Sequence, residues 1–424
     1  MTILLYIFKL HLRFIYFFIK LFTRQERQVF FLSRQYNKIP LNYSYLIKEL
    51  KKQDKNIKIK VICKKVDNEL NETLRDTKKC SNTKIVIKKL SKQLKNAFKY
   101  YINIYEQMYI IAKSRVVIVD GYNISASILK HKKNTTIIQI WHALAAMKKF
   151  GYQSVGFEDG INPKLAKILE MHKNYDYVIS GSDEMKKPFS EAFQVPIENI
   201  TSVGTPYVDY LLKDDSKKIQ KVYEKHPELK EKINIVYSPT FRRDGRDYIK
   251  NVIDNIDLDK YNLIITYHSK DENKKELQNS KLVNCSDVPY NLLMKIADYV
   301  ITDYSALSVE VAIVQTKLLL YVCDIEKYKK ENGLNVDLFK ELPGYTSKNI
   351  SDLVKIVDEN NYDINILESF RKKFASNLTG TSTKLLCEMI LKNIDKKQKI
   401  NIEKLESNYK EKYKEKVVLW IKKS

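Results

Sequence analysis

A chain of 424 residues, 44% hydrophobic and 30% charged, has length for two or three domains and too much apolar content for an intrinsically disordered protein. Its formal net charge of +24 points to an anionic partner (membrane surface, nucleic acid or phosphorylated substrate), although only clustered charge makes a binding footprint. The five cysteines, at 63, 80, 285, 323 and 387, are odd in number and lack a C-x-x-C pair, which argues against a zinc site or a disulfide framework and for a reduced, cytoplasmic environment.

Residues 1–27 form the first element. Lys9, Arg13 and Lys20 interrupt the apolar run Met1–Phe22, so it falls short of the roughly 18 clean apolar residues that a membrane span needs. No small-residue cleavage site follows it. At about 100° per residue, Lys9, Arg13, Lys20, Arg24 and Arg27 share an arc of roughly 60°, with Ile3, Leu10, Phe14, Phe17, Phe18 and Leu21 on other faces. A basic stripe on a broad apolar surface predicts a helix lying in the membrane interface, its cations toward anionic headgroups on the cytoplasmic side. His11 falls on the apolar side of this wheel, and nothing in the sequence accounts for it.

Strand-like and helix-like stretches then alternate. Over 28–212 the strands are Val29–Leu32, Ile57–Cys63, Val116–Asp120, Thr135–Trp141, Tyr177–Ser180 and Thr201–Val203. Helical patterns at Tyr43–Lys52, Lys88–Ala112 and Lys164–Lys173 separate them. Such alternation predicts right-handed βαβ units and a parallel sheet. The polar stretch 213–232 reads as a linker. Over 233–390 the pattern repeats, with strands at Ile233–Ser238, Asn262–Tyr267, Tyr299–Thr302 and Lys317–Val322 and helices at Asn291–Ala297 and Ser305–Val314. Residues 391–424 form a basic helical tail, in which Val417–Ile421 is a second interfacial contact or a helix packed on the body. The fold class is therefore α/β: two Rossmann-like domains whose parallel sheets face a cleft, the GT-B arrangement of nucleotide-sugar transferases, behind an N-terminal amphipathic helix.

Two of the six histidines close strands, one in each half. His142 follows Thr135–Trp141 and His268 follows Leu263–Tyr267, and ligands of open α/β sheets bind outside the carboxyl ends of the strands. There is no P-loop and no G-x-G-x-x-G, and Asp257-Leu258-Asp259 reads as a turn. Ser238–Arg243 places a hydroxyl and a guanidinium at a strand end, suited to phosphate oxygens. Thr302-Asp303-Tyr304-Ser305 opens a helix with Ser305 as its N-cap, where free N–H groups favour phosphate. Lys148 and Lys149 add charge close to His142.

In this order the motifs resemble the CDP-glycerol glycerophosphotransferase family, the teichoic acid polymerase-like polyol-phosphate transferases. The resemblance runs from about Phe31 to Ile390. It includes Ser33-Arg34-Gln35-Tyr36, Gln139–His142, Lys148–Tyr152, Ile179–Ser182, Gly204-Thr205-Pro206 with Asp209, Ser238–Arg242, Thr302–Ser305, Glu341–Gly344 and Gly380. It implies a monotopic enzyme on the cytoplasmic face of the cell membrane. Such an enzyme transfers glycerol phosphate from CDP-glycerol to a lipid-linked, teichoic acid-type acceptor and releases CMP. It implies His142 and His268 as the catalytic pair, with His142 as base for the acceptor hydroxyl. His268, Arg242 and the Ser305 helix terminus would hold the diphosphate, and the two histidine roles are interchangeable at this stage. Thr240, Thr302, Asp303, Glu310, Lys148 and Gly204 complete the implied substrate contacts. Residues 28–212 are the acceptor side and 233–390 the CDP-alcohol side. The expected partners are CDP-glycerol or CDP-ribitol, the acceptor and an anionic membrane surface; no cofactor, metal or nucleic acid is expected.

The chain departs from the family pattern at several points. Ala143 and Leu144 follow the W-H pair in place of glycine, Ala306 replaces a serine, Tyr207 stands where an arginine is common, and Ser269-Lys270 follow His268. CDP-ribitol is the nearest alternative donor. A GT-B glycosyltransferase using a nucleotide-sugar is a second class, and a non-enzymatic basic membrane-peripheral protein a third.

Overall fold

The computed structural model describes residues 2–65, 100–157, 160–240, 242, 248–266 and 281–395. His268, the remainder of the Lys88–Ala112 pattern before residue 100, and the tail beyond 395 lie outside the described residues.

The first sheet has six parallel strands in the order β2-β1-β3-β4-β5-β6. They are β1 (Gln28–Ser33), β2 (Lys58–Cys63), β3 (Val116–Val119), β4 (Thr136–Gln139), β5 (Tyr177–Ile179) and β6 (Ile200–Thr201). Side chains alternate across a strand, so Phe30 and Leu32 pack with Val117 and Val119 in one core cluster, while Val29 and Phe31 pack with Val116 and Ile118 in another. Both faces are covered, which is why these strands read as continuous apolar runs. β4 ends two residues before the expected Trp141, because Trp141 adopts φ +49°, a left-handed conformation that cannot continue a strand.

The second sheet is also parallel, in the order β11-β10-β9-β7-β8. Its strands are β7 (Ile233–Tyr237), β8 (Tyr261–Ile265), β9 (Tyr299–Thr302), β10 (Lys317–Tyr321) and the two-residue β11 (Thr346–Ser347). The polar segment between the sheets carries a helix at Ser216–Lys225.

Eight helices are labelled here in chain order. They are α1 (Thr2–Leu21), α2 (Leu41–Gln53), α3 (100–113), α4 (Lys186–Phe193), α5 (Pro206–Leu211), α6 (Leu307–Ile313), α7 (Ile364–Phe374) and α8 (Ser382–Asp395). After α7 the chain crosses back, and α8 lays Leu385, Leu386, Met389 and Ile390 against Tyr43, Leu46 and Leu50 of α2. A boundary at 390 thus falls inside a helix that covers the first sheet. The G-T-P-Y-V-D segment docks this helix. Asp209 accepts the N–H groups of Ser382 and Thr383 at 2.9 and 2.7 Å, capping the helix dipole with negative charge. Gly204 holds φ +76°, and a Cβ there would lie 2.6 Å from Ser382 Oγ. Its requirement is therefore backbone conformation and close approach.

The orientation of α1 corrects the expectation from the helical wheel. Lys9 is buried and pairs with Glu170 at 2.7 Å. Arg13 grips both Glu170 oxygens at 2.7 and 2.8 Å and donates to Ile128 O, while Lys20 donates to Lys130 O. The cations face the protein. With Leu12 and Tyr16 buried among them, the helix turns Ile3, Leu10, Phe14, Phe17 (53% exposed), Leu21 and Phe22 outward. His11 also finds its place, with Nε2 at 2.9 Å from Tyr105 Oη and 3.0 Å from Tyr101 Oη on α3.

Candidate active site

The end of β4 shapes the first half of the site. The left-handed Trp141 is held by its N–H donating to Gln139 Oε1 at 2.9 Å, and its indole stacks on Phe150 at 4.8 Å and meets Phe193 of α4 edge-on at 5.2 Å. Non-glycine residues in this conformation cost about 1–3 kcal/mol and persist where surrounding structure holds them. The turn re-aims the next residue, and His142 enters the space above the sheet. Its Nδ1 lies 3.0 Å from Asp120 O. A carbonyl only accepts, so Nδ1 carries the proton and the lone pair is on Nε2, which has no hydrogen-bond partner among the described residues. The ring is open to solvent at the cleft wall. The protein around it nevertheless lowers its pKa below the usual value, the Asp120 carbonyl opposing and the Lys148 charge adding to the effect.

His142 lines a cavity of about 350 Å³ together with Tyr36, Asn42, Asp120, Thr205, Tyr207 and Glu310. Residues of both halves therefore share one cleft. Glu310, on α6, accepts from Tyr207 Oη at 2.9 Å. Burial pushes its carboxyl up to about 7 against that hydrogen bond. Asp120 directly follows β3 and is 4% exposed. Burial pushes it up to about 6, although Ser33 and the Arg34 amide approach closely enough to moderate the rise. Neither contact makes a hydrogen bond of good geometry to its carboxylate oxygens.

A second cluster lies at the ends of β7 and β9. Arg242 donates from Nε and Nη2 to Asp324 at 2.9 and 3.1 Å, from Nη2 to Asp303 at 3.0 Å, and from Nη1 to Thr240 O at 2.7 Å. Tyr248, Tyr304 and Tyr328 rings surround the guanidinium. Asp303 also takes the Thr240 N–H at 2.9 Å and its hydroxyl, and Thr302 Oγ1 donates to Ser238 O at 2.7 Å. Arg242, expected to grip phosphate, is thus largely committed to two carboxylates. Ser305 sits two residues before α6, its Oγ accepting the Leu307 N–H at 3.2 Å. Lys148 joins the halves: its segment bridges Leu334 as an antiparallel pair. Its ammonium has no ion pair or hydrogen bond among the described residues. Burial lowers its pKa, with Asp303 opposing and Arg242 reinforcing that shift.

Of the expected residues, the structure brings His142 and Glu310 into one cavity. Thr240, Arg242 and Asp303 form a second cluster outside that cavity's lining, Lys148 lies between the halves, and Gly204 contacts α8. Asp120, Tyr36, Thr205 and Tyr207 were missed as cavity residues. Asp120 carried the same signal as His142, a polar residue at the end of an apolar strand. Among the described residues no three His, Cys, Asp or Glu side chains are grouped as for a metal ion.

Residues 15–392 match the family model of CDP-Glycerol:Poly(glycerophosphate) glycerophosphotransferase. The chain belongs to that family. Similar relatives include the teichoic acid ribitol-phosphate primase of Bacillus spizizenii (strain W23), 28% identical over 323 residues, covering 72% of this chain and 82% of the relative. The teichoic acid glycerol-phosphate primase of Bacillus subtilis (strain 168) is 25% identical over 296 residues, with 68% and 76% covered. The teichoic acid poly(ribitol-phosphate) polymerase of B. spizizenii is 25% identical over 89% of this chain, which spans 58% of that relative's length. In fold, the chain resembles the wall teichoic acid polymerase TagF, with TM-score 0.63 at 20% identity over 87% of this chain and 89% of that one. It also resembles UDP-GlcNAc 2-epimerase from Neisseria meningitidis, with TM-score 0.51 at 14% identity over 86% of this chain and 100% of that one. The family's α/β, GT-B-like architecture of parallel sheets is present here.

Proposed function

We propose that the protein transfers glycerol phosphate from CDP-glycerol to a lipid-linked acceptor of the teichoic acid type. The observation that carries this reading is His142, fixed through Nδ1 on the Asp120 carbonyl with Nε2 unpartnered among the described residues of the cleft, within a chain of this family. The acceptor hydroxyl oxygen attacks the phosphorus that bears the glycerol, and its proton passes to Nε2. The bridging P–O bond breaks, and CMP leaves with that oxygen. Positioning and charge neutralisation do most of the work in such transfers. Lys148 is suited to meet the diphosphate, since its segment pairs with Leu334 of the other half and its ammonium is unpaired among the described residues. The Arg242–Asp303–Asp324 cluster stiffens the loop beside it. His268, outside the described residues, completes the proposed pair in the role the family resemblance implies, stabilising departing CMP.

A peripheral place on the membrane is part of this reading. Twenty residues of α1 span about 30 Å, and their outward face is apolar. With its cations tied to the body, the helix is built to sink that face into one leaflet, which brings the cleft to a lipid-linked substrate. CDP-ribitol is a second donor reading, favoured by the likeness to the ribitol-phosphate primase. Supplying each CDP-polyol in turn to the purified protein with a lipid-linked glycerol-phosphate acceptor separates the two by which one yields acceptor-dependent CMP. CMP from neither donor would refute the transfer.

A further inference from the structure

The cavity beside His142 collects unfilled hydrogen-bond acceptors. Among the described residues, both carboxylate oxygens of Asp120, Oγ1 of Thr205 and Oδ1 of Asn42 are buried without a hydrogen-bond partner, and all three residues line this one cavity. Buried polar atoms are almost always paired, so their concentration at one place marks a ligand's hydrogen-bonding surface. Glu310 faces them from the other half, and among the described residues Tyr207 is its only side-chain hydrogen bond. The Tyr36 hydroxyl lies within the influence of both acids. Among the described residues no arginine or lysine lines the cavity. Acidic and acceptor-rich walls repel phosphate and suit a neutral donor of several hydrogen bonds, while Trp141, Tyr36 and Tyr43 supply apolar ring surface to its carbon skeleton.

We propose that this cavity is the subsite for the terminal polyol of the acceptor. The hydroxyl adjacent to the one that His142 deprotonates donates its one O–H between the facing carboxylates of Asp120 and Glu310. The inference rests on the transfer proposed above and adds the chemical class that the cavity reads: vicinal hydroxyls, with the phosphates held outside it. It makes the two acids specificity-determining residues drawn from opposite halves.

Equilibrium binding by calorimetry, without donor, reads the subsite separately from catalysis. The full-length protein is titrated with a lipid-linked acceptor ending in glycerol and with one ending in propane-1,3-diol, which lacks the adjacent hydroxyl. The wild-type protein binds the glycerol end about tenfold more tightly, as expected for hydrogen bonds to charged groups. Glu310→Gln and Asp120→Asn, which conserve shape, each shrink that ratio toward one, with melting curves checking that both variants are folded. Equal binding of the two acceptors by wild type, or an undiminished ratio in both folded variants, would overturn the subsite. CMP release run in parallel tests the transfer: a binding preference without CMP from any CDP-polyol would refute the reaction and leave the subsite standing.

Discussion

His142 Nδ1 lies 3.0 Å from the carbonyl oxygen of Asp120, twenty-two residues earlier at the end of the neighbouring strand. One hydrogen bond between adjacent strand ends sets the tautomer, and the left-handed Trp141 sets the direction. His142→Ala is expected to lower kcat by about 10²–10⁴-fold, the usual range for a lost general base. Desolvation by the protein around the cleft-facing ring lowers the His142 pKa from its ordinary 6.5. The neutral, basic form is therefore kept to lower pH, and the acidic limb of kcat/KM falls below that value. A limb at or above 6.5, assigned to His142 by its loss in the alanine variant, would contradict this placement.

Asp120 and Glu310 make stability fall as pH rises. Their folded pKa values, about 6 and about 7, stand above the ordinary 3.8 and 4.5. Between those limits the unfolded chain has released protons that the folded chain retains, so the folded state loses ground until both groups are ionised above about 7. Melting temperatures measured from pH 4 to 8 are expected to fall less steeply for Asp120→Asn with Glu310→Gln than for wild type. Parallel curves would show that neither acid is perturbed.

Arg242 lies among Asp303, Asp324 and three tyrosines, with its side chain 12% exposed. Removing one partner from a buried charge cluster costs about 3–5 kcal/mol because the remaining charges stay buried. Arg242→Gln is expected to lower the free energy of unfolding by that order in urea titration. A variant of wild-type stability and weakened donor binding would instead make Arg242 the phosphate ligand that the sequence suggested.

For α1 the two faces give opposite outcomes. Phe14→Asp with Phe18→Asp removes apolar surface worth roughly 1.5–3 kcal/mol per ring, so vesicle binding should drop by at least about tenfold with little change in melting. Lys9→Gln with Arg13→Gln strips Glu170 of two partners and is expected to lower stability more than vesicle binding. The reverse pattern in vesicle co-sedimentation would restore the headgroup-facing stripe.

The strand pattern was legible because buried parallel strands are short apolar runs, and each observed end lies within a few residues of the expected one. His142 was legible for the same reason, as the polar residue where such a run stops. The wheel of α1 identified which residues share a face, but a wheel carries no information on what that face meets. Glu170, 157 residues from Arg13, decides that only in three dimensions. The Tyr207–Glu310 pair, 103 residues apart, and the return of α8 onto α2 were hidden likewise. Gly204 and Asp209 stood out only as parts of a family motif, and their contacts in seating α8 emerged from the packing around Ser382.

The most direct test of the central claim is CMP release by the full-length protein on vesicles, with CDP-glycerol and a lipid-linked glycerol-phosphate acceptor. The account predicts CMP in proportion to acceptor, lost in His142→Ala while the variant remains folded. CMP release that ignores the acceptor, or persists undiminished without His142, would contradict it.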